Sequence, residues 1–220
     1  PGNPFWGYRN WAVGVDNKLQ YRHGPSEKPP FREGFLAVVV PRWVNVAIGA
    51  CVVAVTYALA AQLLDGEPAP ALAAGAIVAL NPQFIYLSGA MNNDILAALV
   101  SAAVLLSCVG LLKHGATLRR TGGLGALYGL ALLTKLHLAA LGVVIAVTLA
   151  FEAWSARTYD AAPAKRAATG ARRWLRGMAI VGVVAGVLAG WWFVRNLRLY
   201  GDLTGMRQLN AMWAGREARG

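Results

Sequence analysis

The sequence predicts an all-helical, polytopic integral membrane protein, and it excludes a soluble globular domain. Of the 220 residues, 57% are hydrophobic and 14% are charged, whereas soluble domains carry about 45–50% apolar and about 25% charged residues. The apolar residues form uncharged blocks, several close to the roughly 20 residues that a spanning helix needs. Bilayer hydrocarbon offers backbone N–H and C=O groups no partner, and no block alternates with a period of two, so the blocks are predicted to be helices.

Three regions follow from the distribution of polar residues. Residues 1–42 are predicted to form an outer loop with an interfacial amphipathic helix over 31–40. The chain begins with Pro1 rather than Met, which indicates a fragment that lacks its first helix. Residues 43–194 are predicted to be the transmembrane helical domain, and residues 195–220 an outer loop or the start of the next segment.

About six transmembrane helices are expected, including one short helical hairpin. The Asn81-Pro82 pair inside the second helix should kink it, because proline removes an intrahelical hydrogen bond. Turns are predicted at 65–68 and 92–94, and basic connections at 113–120 and 157–176. The predicted spans are 43–64, 71–90, 95–112, 178–194 and the two arms of the hairpin within 122–154.

The segment 122–154 is too long for one ordinary span and short for two. Lys135 lies near its middle, and a lysine at the bilayer centre costs at least ~2.5 kcal/mol. Two short helices with Lys135 at the turn avoid this cost, so a hairpin is predicted. The alternative is a single tilted span with Lys135 in a polar cavity.

The last span contains a regular pattern of small residues. Gly182, Gly186 and Gly190 recur every four residues, which predicts a flat face for close helix contact, within the chain or between chains. The Trp191-Trp192 pair that follows is typical of a membrane interface.

Charge distribution indicates both the partners and the orientation. The net charge of +11 resides largely in the connections between apolar blocks, which favours the phosphates of the lipid bilayer over nucleic acid as the anionic partner. The positive-inside rule places the basic connections 113–120 and 157–176 in the cytoplasm. The Asn92-Asn93-Asp94 turn and the C-terminal tail then lie on the outer side of the membrane.

Asp94 is the principal candidate catalytic residue, because it is the only acidic residue between Glu67 and Glu152. It could cap the following helix, or it could bind an acceptor hydroxyl or a divalent cation such as Mg or Mn. No cofactor is certain from the sequence. Lys135 could snorkel to lipid headgroups or bind a lipid-linked phosphate.

Arg195 could be an ordinary interfacial arginine or could pair with the same phosphate. Asn93, His137 and Tyr200 are candidate substrate-side contacts. The hairpin topology places Asp94, Lys135 and Arg195 on one side of the membrane. A phosphate at headgroup depth would meet a carboxylate and two cations there.

Three motifs resemble those of GT-C class membrane glycosyltransferases, in the expected order along the chain. The similarity is greatest to the bacterial branch of protein mannosyltransferases and lipid A aminoarabinose transferases. Many members of this branch are uncharacterised. The motifs are Asn81-Pro82-Gln83-Phe84 continuing to Met91-Asn92-Asn93-Asp94-Ile95-Leu96-Ala97, then Gly129-Leu130-Ala131-Leu132-Leu133-Thr134-Lys135, and Trp191-Trp192-Phe193-Val194-Arg195-Asn196 continuing to Tyr200-Gly201-Asp202.

The resemblance implies transfer of a sugar from a polyprenyl-phosphate donor to an unidentified acceptor at the outer face of the cell (plasma) membrane. It implies a general base in the first outer loop, in the part of that loop expected to precede Pro1. It matches Asp94 to an acidic position of the second outer loop, and Lys135 and Arg195 to basic positions near the donor phosphate.

Two other classes of function compete with this interpretation. A transporter or flippase of a lipid-linked or anionic substrate would also use broken helices, but with its charged residues near the midplane. A structural membrane subunit would have no use for the charge of Asp94.

Overall fold

The computed structural model describes residues 28–31, 33–155, 163–207 and 210–211. Most of the outer loop predicted over 1–42 lies outside these residues. The described part of the chain consists of helices and their connections, without a strand. The helices are α1 Glu33–Leu63, α2 Pro68–Ala79, α3 Pro82–Gly89, α4 Asp94–His114, α5 Leu118–Thr134, a 3-10 helix Leu136–Ala140, α6 Leu141–Ser155 and α7 Pro163–Tyr200.

Four helical segments of the described chain are long and apolar enough to span a membrane, and the bent pair α2–α3 makes a fifth if it counts as one span. The sixth predicted span is α5, which has 17 residues and a length of about 26 Å. Large apolar side chains are exposed on the outer surface of the bundle, for example Ile77 at 73% and Val187 at 76%. Such exposure fits a surface that faces lipid, so the predicted all-helical membrane fold is confirmed.

Helix α1 differs from its prediction in one respect. An interfacial helix over 31–40 and a separate span from residue 43 were expected, but Glu33–Leu63 is one helix with Pro41 inside it. Proline removes a single intrahelical hydrogen bond, and membrane helices accommodate such a loss.

The kink at Asn81-Pro82 is confirmed, because α2 and α3 meet at an angle of 59°. The Asn81 side chain accepts hydrogen bonds from the N–H groups of Gln83 and Phe84 at 2.9 and 3.3 Å, and Pro82 stands at the first helical position, where its missing N–H costs nothing.

The bent pair crosses the bundle as one broken span. Along α1, Gly75 of α2 lies against Val53 and Tyr57, whereas Ser88 of α3 lies against Gly49. The contacts thus move steadily toward the N-terminal end of α1, which a re-entrant loop would not do.

Hydrogen bonds define two opposite ends of the helix bundle. At the end that we call the Asp94 rim, Asn45 of α1 bonds to Ala90, and the Asn93-Asp94 turn bonds to the end of α5 at Thr134.

At the opposite end, the Glu152 rim, the ammonium of Lys113 lies 2.7 Å from Asp65, and Glu152 accepts a hydrogen bond from the N–H of Ala116 at 3.0 Å. The hydrogen bond from Lys113, together with its charge, lowers the pKa of the exposed Asp65 carboxyl.

The predicted hairpin is confirmed. Helix α5 runs from the Glu152 rim to the Asp94 rim, and α6 returns. Lys135 lies between them in extended conformation, with φ −156° and ψ 134°, and is followed by the 3-10 helix. The lysine therefore ends a helix and lies at the Asp94 rim.

Helix α7 is longer at both ends than the predicted span 178–194. It begins at Pro163, so much of the basic connection predicted over 157–176 is helical, and Arg157 lies outside the described residues. It also continues to Tyr200, into the predicted tail. Alanine, arginine and lysine, which are good helix formers, dominate the extension 163–176, and this explains why its charge does not end the helix.

The prediction of close helix contact at Gly182, Gly186 and Gly190 is not met within the described chain. A Cβ atom at any of the three would have no neighbour within 4 Å. Helix α7 instead packs Val181 and Ala185, which are 2 and 3% exposed, against α5.

The glycines that permit this approach belong to α5. A Cβ at Gly125 would lie 3.0 Å from the Cα of Val181, and one at Gly129 would lie 3.2 Å from the Cα of Ala185. From the first contact to the second, the residue number rises by four on both helices, so α5 and α7 run parallel. The C-terminal end of α7 therefore lies at the Asp94 rim. The hydrophobic core of the bundle surrounds this contact and comprises Val104, Cys108, Leu111, Leu124, Ile145, Leu149 and Val181.

We expect Gly125→Val to destabilise the bundle, because the new side chain would meet the backbone of α7. Overpacking of this kind costs about 1–3 kcal/mol. The matched control is Gly182→Val on the facing helix, where space is open. Thermal unfolding in detergent should show a lower midpoint for the first variant alone, and equal midpoints would show that α5 and α7 do not pack in this way.

Candidate functional site

Asp94 is the first residue of α4, and its carboxylate is not the cap of that helix. The side-chain oxygen of Asn92 accepts a hydrogen bond from the N–H of Asp94 at 2.9 Å, which is the two-residue turn typical of asparagine. The N-cap position of α4 is Asn93, whose side chain makes no capping hydrogen bond, and Asn92 supplies the acceptor for the N–H of Asp94. The carboxylate remains in the first helical turn, where the helix dipole stabilises negative charge.

The Asp94 carboxylate forms an ion pair with the ammonium of Lys135. The two side chains come from the start of α4 and from the extended connection after α5. Their exposed fractions are 45% for Asp94 and 31% for Lys135, so a ligand at the membrane boundary can reach both. The structure thus brings together two of the three charged residues singled out in the sequence.

The turn that carries Asp94 is fixed by asparagine side chains. Asn93, which was expected to face the substrate, donates a hydrogen bond to the carbonyl of Thr134 at 3.1 Å. It thereby ties the start of α4 to the end of α5, immediately before Lys135. Asn92 donates a further hydrogen bond to the carbonyl of Leu87 at 3.3 Å.

Asn45 completes this frame and was missed in the sequence. Its amide donates hydrogen bonds to the carbonyls of Ala90 and Asn92, at 2.5 and 2.9 Å, and only 9% of the residue is exposed. The available signal was an amide side chain in an otherwise apolar span, because a polar group at that depth requires a partner.

The remaining candidate residues lie at the same rim but do not bond to the ion pair. Arg195 lies over the ring of Trp192, with its guanidinium carbon 5.4 Å from the ring centroid. His137 and Tyr200 are exposed. Among the described residues, none of the three forms a hydrogen bond or ion pair with Asp94 or Lys135.

Asp202 is the other described carboxylate near this rim, and its hydrogen bonds stay within its own turn. It accepts hydrogen bonds from the N–H groups of Arg207 and Thr204 at 3.1 and 3.2 Å. These two bonds lower the pKa of Asp202 and occupy its oxygens, which leaves Asp94 as the carboxylate directed toward a side-chain cation.

The divalent cation considered for Asp94 finds few ligands here. In the described chain no three His, Cys, Asp or Glu side chains come close enough together to hold a metal ion. Asp94 offers one carboxylate, and Lys135 already occupies one of its oxygens. Mg²⁺ and Mn²⁺ prefer several oxygen ligands, and the described part of the chain supplies one carboxylate here.

The chemistry open to this arrangement is that of a paired cation and carboxylate at headgroup depth. An ammonium is a compact charge that stabilises phosphate oxygens, and a carboxylate can bind or deprotonate a hydroxyl. Both kinds of group are needed when a hydroxyl displaces a phosphate.

Comparison with known proteins is consistent with this chemistry. Residues 34–189 match the family model described as dolichyl-phosphate-mannose-protein mannosyltransferase. The match includes Asp94 and Lys135 and ends before Arg195 and Tyr200. No curated protein and no solved structure matches the chain significantly. Since the matched region covers more than half of the sequence, the chain belongs to the dolichyl-phosphate-mannose-protein mannosyltransferase family of GT-C type membrane glycosyltransferases.

Proposed function

We propose that the chain transfers a sugar from a polyprenyl-phosphate donor to an acceptor at the outer face of the cell membrane. The observation that carries this proposal is the accessible ion pair between Asp94 and Lys135 at the end of a spanning helix. Family membership supplies the reaction class, and the ion pair supplies groups suited to a phosphate and a hydroxyl.

The depth of the pair suits a lipid donor. Helix α4 has 21 residues and a length of about 31 Å, close to the roughly 30 Å of bilayer hydrocarbon. Its first residue, Asp94, is therefore expected at headgroup level, the depth at which a polyprenyl chain presents its phosphate.

Lys135 is proposed to bind the donor phosphate. During transfer, the bond between the anomeric carbon and the phosphate oxygen breaks, and the electron pair stays on the phosphate. A cation that contacts these oxygens stabilises the developing charge. A partly exposed ammonium at the helix break can do so without crossing the hydrocarbon.

Asp94 is proposed to orient Lys135 and to contact the acceptor hydroxyl. The hydroxyl oxygen forms the new bond to the anomeric carbon, and its proton passes to a carboxylate. Asp94 is suited to this environment because no backbone hydrogen bond occupies its side-chain oxygens in the described chain. The family resemblance assigns the general base to the first outer loop, so that assignment remains separate from the role of Asp94.

No observation favours the transporter alternative over transfer. A transporter is expected to hold its charged residues near the midplane, whereas Asp94 and Lys135 lie where helices begin and end.

Replacement of Asp94 by asparagine is expected to reduce sugar transfer about 100-fold, because Lys135 loses the carboxylate that orients it and a misplacement of about 1 Å can cost that much. The measurement is incorporation of labelled sugar from polyprenyl-phosphate donors by the full-length protein in membranes. The matched control is Asp65→Asn, which removes the same charge from a lysine ion pair at the opposite rim.

The control should keep wild-type transfer, because Asp65 lies far from the Asp94 rim. Equal transfer by wild type and the Asp94 variant would remove Asp94 from the mechanism. Equal losses in both variants would show that the effect of charge removal is general.

Asn45→Leu is expected to lower transfer about tenfold to 100-fold, although Asn45 need not touch substrate. The change leaves the carbonyls of Ala90 and Asn92 without their donor, which costs about 1–3 kcal/mol, and displacement of a reactive group by 1 Å can cost about 100-fold. Thr56→Val on the same helix is the control, because Thr56 bonds only within its own helix. Wild-type transfer rates in Asn45→Leu would rule out its positioning role.

A further inference from the structure

A cleft at the Glu152 rim lies across the bundle from the proposed catalytic pair. It has a volume of about 340 Å³ and is bounded by the α4–α5 turn, the end of α6 and residues 173–180 of α7. Its polar lining includes Thr117, Thr121, Glu152, Arg173 and Arg176. Neither the proposed transfer reaction nor the family motifs use these residues.

The charges around the cleft favour an anion. Arg173 and Arg176 are three residues apart on α7, so they lie on the same helix face. Glu152 is the one carboxylate among the lining residues, and it accepts the backbone N–H of Ala116. Among the lining residues, the two guanidinium groups and the one carboxylate sum to a positive formal charge, and Arg173 is also held by a contact within the chain.

The start of α5 adds to this balance. Thr117 caps the helix by accepting a hydrogen bond from the N–H of Arg120 at 3.3 Å. Thr117 also lines the cleft. The positive end of the α5 dipole therefore faces the cavity. Phosphate is the anion that arginines bind in bidentate fashion.

An apolar groove continues from the cleft. A second cavity of about 230 Å³ shares Gly115 and Glu152 with it and is walled by Leu112 and Phe151. These two side chains are 44 and 63% exposed on the lipid-facing surface. An anionic group at one end and a hydrocarbon chain at the other would match the two cavities.

The depth of the cleft agrees with a lipid headgroup. Trp154, 66% exposed near the end of α6, is typical of the aromatic belt at a membrane interface. The cleft is bounded by the ends of three helices at this level.

We propose that this cleft binds an anionic phospholipid. Its phosphodiester contacts Arg173 and Arg176, and one acyl chain lies against Leu112 and Phe151. The lipid belongs to the leaflet opposite the Asp94 rim, so the site is distinct from that of the sugar donor.

The test uses the purified full-length protein and counts bound lipids by native mass spectrometry, with phosphatidylglycerol and phosphatidylcholine of identical acyl chains as probes. Wild type should retain phosphatidylglycerol at least about tenfold more tightly, because both lipids carry the phosphodiester but the choline cation of phosphatidylcholine is repelled by the two arginines. The double variant Arg173→Gln/Arg176→Gln should lose this preference. Arg119→Gln/Arg172→Gln removes the same charge from exposed residues outside the lining and should keep it.

A second variant and a soluble probe separate the two sources of phosphate. Phe151→Ala, at a position that is 63% exposed, should weaken phosphatidylglycerol binding. Inorganic phosphate should not displace the lipid at millimolar concentration. Equal retention of both lipids by wild type, an equal loss in cleft and control double variants, or displacement by inorganic phosphate would each overturn the proposal.

Discussion

The ion pair between Asp94 and Lys135 joins residues 41 positions apart in the chain and fixes where two membrane helices meet the bilayer surface. Each charge alone is costly in hydrocarbon. A lysine in the segment 122–154 is therefore tolerated only where the helix stops, and α5 does stop at Thr134. The start of α4 brings a carboxylate to the same place. The position of the ion pair thus follows from the cost of charge in the membrane as well as from the role of the site.

Helix ends in a membrane leave backbone carbonyls without partners, and asparagines supply the missing donors here. The side chain of Asn45 donates hydrogen bonds to the carbonyls of Ala90 and Asn92. Asn92 donates to the carbonyl of Leu87, and Asn93 to that of Thr134. The same bonds that satisfy these carbonyls also hold the turn that carries Asp94. Stability of the broken helices and precision of the candidate site therefore rest on one set of contacts.

Features could be predicted from the sequence where the alternative structure would have a large energetic cost. The break at Lys135 follows from the cost of a buried charge, and the bend at Asn81-Pro82 follows because proline fits the first turn of a helix but not its interior. Contacts that depend on the partner helix were not predictable. The close approach of α7 to α5 uses Gly125 and Gly129, whereas the regular glycines of α7 face away from the described chain. The helical start of α7 was hidden because charge alone does not distinguish a loop from an exposed helix.

The candidate site was predictable in the same limited sense. Topology placed Asp94 and Lys135 at one rim, but the rotation of α7 about its axis, which decides where Arg195 points, is not encoded in helix order. Arg195 contacts Trp192, three residues earlier on the same helix. Asn45 was missed because a single neutral amide in an apolar span has no distinctive pattern.

A double-mutant cycle on sugar transfer tests most directly whether Asp94 and Lys135 act together. Transfer rates would be measured for Asp94→Asn, Lys135→Gln and the combined variant. Groups that act as a unit are strongly non-additive, so we expect the combined variant to be no slower than the slower single variant. Losses that multiply, with a coupling free energy near zero, would contradict a shared role for the two residues.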